Sequence, residues 1–171
     1  MNTYSKWEIK ETTLKGVYCI IPNVFKDHRG SYIEIYNKEF YDQNNVKINF
    51  IQDDISISKK GVLRGIHGDN KTHKLITCLH GELQLIIVNN DDKSDDFKKW
   101  ISLDMSSQNI KHILVPPKFG NGHLVTSDFA IFHYKQNTQY DRESQFTIKW
   151  NDTSYGFGWK NNNPILSTRD K

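Results

Sequence analysis

Leu83-Gln84-Leu85-Ile86-Ile87-Val88 decides the fold class. It is a short apolar run, closed on one side by His80-Gly81-Glu82 and on the other by Asn89-Asn90-Asp91-Asp92. A run of this length between turn residues is the pattern of a strand. Similar runs recur at Val17-Tyr18-Cys19-Ile20-Ile21, Tyr32-Ile33-Glu34-Ile35-Tyr36, Phe50-Ile51 and Ile113-Leu114-Val115, then at Ala130-Ile131-Phe132-His133-Tyr134 and Phe146-Thr147-Ile148-Lys149-Trp150. β-Branched and aromatic residues dominate them. The connections Asp27-His28-Arg29-Gly30, Lys59-Lys60-Gly61 and Asn161-Asn162-Asn163-Pro164 carry turn chemistry. The pattern predicts an all-β sandwich or barrel. Only Lys38 to Gln43 reads as a helix, and a short one.

No repeat, low-complexity tract or linker interrupts the chain, so residues 1–171 are expected to form a single domain. Its 23 basic and 20 acidic residues leave a net charge of +3. That balance, without runs of like charge, gives no footing for a nucleic-acid partner. No stretch reaches the roughly 18 apolar residues of a membrane span, and the amino end is polar. The two cysteines, Cys19 and Cys78, lie in strand-like runs without metal-type spacing. Two reduced thiols are expected, and with them a cytoplasmic location.

Chemistry concentrates between Arg64 and Glu82. Arg64-Gly65-Ile66-His67, then Lys74, then His80-Gly81-Glu82 place a cation, an imidazole and an amine in one strand–loop–strand unit. An imidazole takes a proton near neutrality, and an ammonium group can hold an oxyanion. His67 taken alone reads as a structural histidine. A metal needs three or four converging ligands, whereas the position two after His67 is Asp69 and His73, His80 and His123 are scattered. No metal is expected. Tyr134 reads as a core aromatic sharing a strand face with Phe132 and Gln136, and Val115-Pro116-Pro117-Lys118-Phe119-Gly120-Asn121-Gly122-His123-Leu124-Val125 as a tight turn.

Taken together, Asp27-x-Arg29-Gly30, Glu34, Phe50-x-Gln52-Asp53, Arg64-Gly65-x-His67, Lys74-Leu75, Gly81-Glu82, Tyr134-Lys135, Trp150-Asn151-Asp152 and Pro164-Ile165-Leu166-Ser167-x-x-Asp170 resemble the dTDP-4-dehydrorhamnose 3,5-epimerase family. The match runs in order from about Val17 to Asp170. The Gly61-to-His67 spacing and the Val115 to Val125 segment are similar to the two cupin motifs. The resemblance implies a cupin-type β jelly roll barrel with one or two short helices, usually a homodimer. It implies a reaction without cofactor or metal on a nucleotide-diphosphate-linked 4-keto sugar, which inverts C3 and/or C5 through an enolate. It makes His67 the base, Asp170 its orienting carboxylate, Tyr134 the acid on the opposite face of the sugar, and Lys74 the cation at the enolate oxygen. Arg29, Glu34, Gln52 and Arg64 become substrate contacts, joined by Asp54, Asn121, Gln145 and Arg169. The segment Val17 to Ile21 is expected at the subunit interface.

Some residues depart from the family pattern. The loop Gly68 to His73 is short, Asn121 stands where the family carries histidine, and Asp54 and Gln145 replace the usual asparagine and glutamate. Arg64 to Asp69, Lys71 to Leu75 and Pro116 to His123 look like a branch acting on GDP-linked 4-keto heptoses in capsular polysaccharide synthesis. The expected substrate on this reading is a GDP-4-keto-heptose. The alternatives are the dTDP-linked 6-deoxyhexose of the rhamnose pathway and a cupin that binds sugar nucleotides without turning them over.

Overall fold

The computed structural model describes residues 3–5 and 7–171, the first three by their backbone alone. In chain order the strands are β1 (Thr3–Ser5), β2 (Glu8–Glu11), β3 (Tyr18–Ile21), β4 (Val24–Asp27) and β5 (Gly30–Ile33). After the helix α1 (Lys38–Gln43) come β6 (Gln52–Lys59), β7 (Leu63–Gly68), β8 (Lys74–His80) and β9 (Glu82–Asn89). The series ends with β10 (Trp100–Ser106), β11 (His112–Val115), β12 (Phe119–Val125), β13 (Phe129–Gln136) and β14 (Phe146–Thr147).

Two sheets make the body of the molecule. One runs β10-β9-β12-β7-β14, the other β2-β3-β11-β8-β13-β6, and a small sheet β1-β4-β5 stands beside them. Leu85 and Ile87 of β9 and Val125 of β12 pack against Ile76 of β8, Ile113 of β11 and Phe132 of β13, so the two larger sheets face each other across one core. They form a jelly-roll sandwich in which the sheets stay separate.

Both outer faces are covered as well, which explains the near-continuous apolarity of β9. Its Ile86 and Val88 point outward and pack with Leu63, Ile66, Leu124, Ile148 and Trp159. Gln84, the polar residue of that run, ties the cover down: its Nε2 donates to Gly158 O (2.8 Å) and Ser102 Oγ (2.9 Å), and its Oε1 accepts from Lys160 N (2.8 Å). Across the molecule, α1 lays Tyr41 on Ile20, Leu75 and Leu114 of the six-stranded sheet. Asn37 caps this helix, accepting from Phe40 N at 3.0 Å.

Several expectations shift. The segment read as a tight turn becomes β12, a central strand, because Gly120 and Gly122 leave room for Ile66: a Cβ at Gly120 would lie 2.6 Å from Ile66 Cγ2. β5 stops at Ile33, and β14 keeps only Phe146 and Thr147. β3 is paired on both sides, by β2 and β11, so Val17 to Ile21 offers no free edge to a second subunit. The edges of this sheet are β2 and β6, not β3, and β6 has an inverted pattern: Ile55 and Ile57 are 60% and 62% exposed while Ser58 is buried. Cys19 and Cys78 are both free thiols. Among the described residues no helix is long and apolar enough to cross a membrane.

Candidate active site

A break in strand regularity builds the site. In a regular strand Arg64 and His67, three positions apart, would point to opposite faces. β12 pairs with β7 in a register that shifts between Asn121 opposite His67 and His123 opposite Arg64, which leaves an extra residue on β7. That bulge turns both Arg64 and His67 into the cavity while Leu63 and Ile66 stay in the outer core. Gly65 makes it possible: its φ is +108°, and a Cβ there would sit 2.6 Å from Asn121 O and 2.7 Å from Gly122 Cα.

His67 Nε2 lies 2.8 Å from Asp170 Oδ1, and Ser167 Oγ donates to Asp170 Oδ2 at 2.8 Å. The segment carrying Asp170 is fastened beside β7, where Leu63 N donates to Ile165 O and Ile165 N to Gly61 O. Burial alone would push the Asp170 carboxyl up, but the hydrogen bonds from His67 and Ser167 outweigh it and hold the group below its usual range. An ionised carboxylate only accepts, so Nε2, the ring nitrogen facing it, carries a proton, and in the neutral ring that leaves Nδ1 as the acceptor.

Lys74 opens β8 on the facing sheet and is buried. Its Nζ donates to Asn121 Oδ1 at 3.1 Å and lies 5.7 Å from the centre of the Tyr134 ring. Burial pulls its pKa down to about 8, with Arg169 adding to the shift and Asp69 opposing it. Tyr134 on β13 shares its register position with Asp54 of β6. Burial, then the Asp54 charge, pushes the phenol well above its ordinary value.

His67, Asp170, Lys74 and Tyr134 line one cavity of about 610 Å³, together with Asp54, Arg64, Asn121, Gln145 and Arg169. Arg169 donates to Gln145 Oε1 at 3.1 Å. The polar face of β6 contributes Asp54 and Ser56, which accounts for the inverted pattern of that strand.

Three expected contacts lie outside the cavity lining. Arg29 sits in the β4–β5 turn, exposed and paired with Asp27 at 2.5 Å. Glu34 is a strut, accepting from Trp7 Nε1 (2.9 Å), Asn23 Nδ2 (3.1 Å) and Asn37 Nδ2 (2.7 Å). Gln52 stands just behind the wall, donating to Asp54 Oδ2 and accepting from Tyr140 N, each at 2.8 Å. In return the lining includes Ser56, His123, Phe132, Tyr140 and Arg142. Tyr140 and Arg142 belong to an irregular segment without periodicity, and His123 was hidden by the reading of β12 as a turn. Among the described residues no group of three or more His, Cys, Asp or Glu side chains converges as a metal site.

Comparison with known proteins gives the same direction throughout. The family described as dTDP-4-dehydrorhamnose 3,5-epimerase matches residues 11–171. The dTDP-4-dehydrorhamnose 3,5-epimerase of Salmonella typhimurium is 34% identical over 165 residues, covering 94% of this chain and 90% of its own. The dTDP-6-deoxy-D-glucose-3,5-epimerase of Legionella pneumophila, solved with dTDP-4-keto-L-rhamnose, superposes with a TM-score of 0.91 at 30% identity, over 96% of this chain and 89% of that one. The dTDP-4-dehydrorhamnose 3,5-epimerase of Bacillus anthracis, solved with TDP and PPi, gives a TM-score of 0.92 at 30% identity, over 96% of each chain.

Proposed function

We propose that this chain, which belongs to the dTDP-4-dehydrorhamnose 3,5-epimerase family, inverts C3 and C5 of a dTDP-linked 4-keto sugar through an enolate. It is an isomerase of the epimerase type, acting on a nucleotide sugar. One observation carries the detailed reading: His67 stands on the five-stranded sheet with the Asp170 carboxylate beside it, and Tyr134 on the six-stranded sheet, across a single cavity. Inversion needs two proton-carrying groups on opposite faces of the sugar, and the sandwich supplies one from each layer.

The C4 ketone acidifies the hydrogens on C3 and C5. His67 Nδ1 takes one of them, and Asp170 stabilises the imidazolium that forms. Negative charge collects on the C4 oxygen, where Lys74 serves as the cation. A pKa of about 8 leaves its ammonium largely charged at neutrality. The Tyr134 phenol, held in its protonated form, returns a proton from the other face. Each proton-transfer group contributes roughly 10²–10⁴ in rate, and the cation at the oxyanion about 10²–10³. Arg64, Arg142 and Arg169 in the lining suit a diphosphate, whose oxygens a guanidinium fork binds in pairs.

The sequence led first to a GDP-linked 4-keto heptose; the relatives carry dTDP names and support the dTDP reading instead. A binding module without turnover has no need of a base facing a phenol. We further propose a homodimer formed over the edge strand β6, where Ile55 and Ile57, with Ile51 just before the strand, are 60%, 62% and 56% exposed. Sedimentation at a monomer mass removes that part alone. The function is tested by offering dTDP-4-keto-6-deoxyglucose and a GDP-4-keto-heptose in deuterated water and following both by NMR. Deuterium at C3 and C5 of the dTDP sugar is expected. Exchange with the GDP sugar alone restores the heptose reading, and binding without exchange restores the binding module.

A further inference from the structure

We propose that His123 and Ser56, beside Arg64, form a subsite that hydrogen-bonds a hydroxyl of the sugar. The inference rests on the reading of this cavity as a nucleotide-sugar pocket and adds to it a specificity contact outside the proton-transfer set.

Two stranded polar atoms point to it independently. His123 is 3% exposed, and its Nε2 has no hydrogen-bond partner among the described residues; buried Ser56 Oγ has none either. Both residues line the cavity. They come from opposite sheets and meet at Phe132, which is Ser56's register partner on β13 and stacks on the His123 ring at 4.0 Å and 12°. Arg64 is the register partner of His123 on β7, and its Nε donates to Ser58 Oγ at 3.0 Å.

A phenyl ring at 123 would stack on Phe132 without burying a nitrogen. An unpaired buried polar atom keeps the cost of its lost hydration, so two in one wall imply a partner that arrives with the ligand. Burial, reinforced by the Arg64 charge, holds His123 far down, at about 3, so the ring is neutral. A neutral imidazole offers one donor and one acceptor, as the serine hydroxyl does. A sugar hydroxyl, itself donor and acceptor, matches both; a bare phosphate, which only accepts, matches them less well.

The test separates the sugar from the nucleotide. Calorimetry on the full chain compares dTDP with dTDP-glucose, which lacks the ketone and does not react, and GDP with GDP-mannose in parallel. His123→Phe and Ser56→Ala are each expected to weaken the nucleotide sugar by about threefold to tenfold, the size of one neutral hydrogen bond, and to leave the bare nucleotide within twofold. His123→Gln, which keeps a donor and an acceptor, recovers part of the loss. Unchanged melting temperatures certify the fold, and a His123→Phe chain that fails to fold leaves the decision to Ser56→Ala and His123→Gln. Equal loss for nucleotide and nucleotide sugar, or none for either, overturns the subsite. Preference for the guanosine pair overturns only the thymidine reading, because the sugar increment is still measured there. A wild-type chain that binds neither pair overturns both.

Discussion

Replacing Tyr134 by phenylalanine separates the two halves of the proposed reaction. The change removes one oxygen from a half-buried ring and leaves its packing on Phe132 (5.7 Å between centroids) and its distance to Lys74 Nζ (5.7 Å) in place. Stability should therefore move by no more than about 1 kcal/mol. The base side is untouched, since His67 sits on the other sheet with Asp170 beside it. His67 should still abstract a proton and return one from solvent to the same face, so Tyr134→Phe should exchange deuterium into the substrate within about tenfold of the wild-type rate. Inversion should fall by roughly 10²–10⁴, the usual contribution of a general acid. NMR in deuterated water reads both quantities from one sample, as isotope content and as product configuration. Inversion at the wild-type rate would refute the role of the phenol. Exchange lost in step with inversion would make Tyr134 the base and unseat His67.

Asp170→Asn should lower kcat by about 10²–10⁴ with KM nearly unchanged, because an amide facing Nε2 no longer selects the tautomer; steady-state kinetics checks it. The Asp170 carboxyl titrates lower folded than unfolded, where its value is about 3.9, so its stabilisation is present above that pH and lost as pH falls. Acid-titration melts should show that decline in the wild type and a smaller one in Asp170→Asn. Gly65→Ala must abandon a φ of +108° and a contact of 2.6 Å, at about 1–3 kcal/mol of strain or roughly 3–10 °C in Tm. Turnover should vanish even at temperatures where the variant stays folded, and calorimetry with parallel activity assays tests this. Activity should fall as pH rises through about 8, where Lys74 loses its charge, and Lys74→Arg should move that limb upward in a pH–rate profile. Stability should move the other way: Lys74 titrates lower folded than unfolded, so the fold gains as pH rises from about 8 towards about 10.4.

Much of the fold was legible because burial on two faces writes itself into composition, as in Leu83 to Val88 and in the short helix at Lys38. The misses have local causes. β12 hides behind Gly120 and Gly122, whose absent side chains make space for Ile66, a neighbour no propensity can see. β6 hides because its polar residues face a cavity while its isoleucines are exposed, the reverse of an ordinary strand. At the site, His67, Lys74, Tyr134 and Asp170 were named together by resemblance, but the bulge at Gly65 that aims Arg64 and His67 the same way follows from pairing with β12. Glu34 and Gln52 stand outside the lining because nearby groups hold them: three donors for Glu34, while Gln52 donates to Asp54 and accepts from Tyr140.

The carboxylate beside His67 belongs to neither large sheet. It rides on a ribbon that crosses from Trp159 through the exposed Asn162 and Asn163 and clips onto Gly61 and Leu63 by main-chain bonds at Ile165. A single protease cut among those asparagines would spare every strand pairing in the sandwich while loosening the piece that primes the imidazole. Such a preparation would keep its circular dichroism spectrum and have lost its turnover, so intact mass is the measure of quality to pair with any assay of this protein.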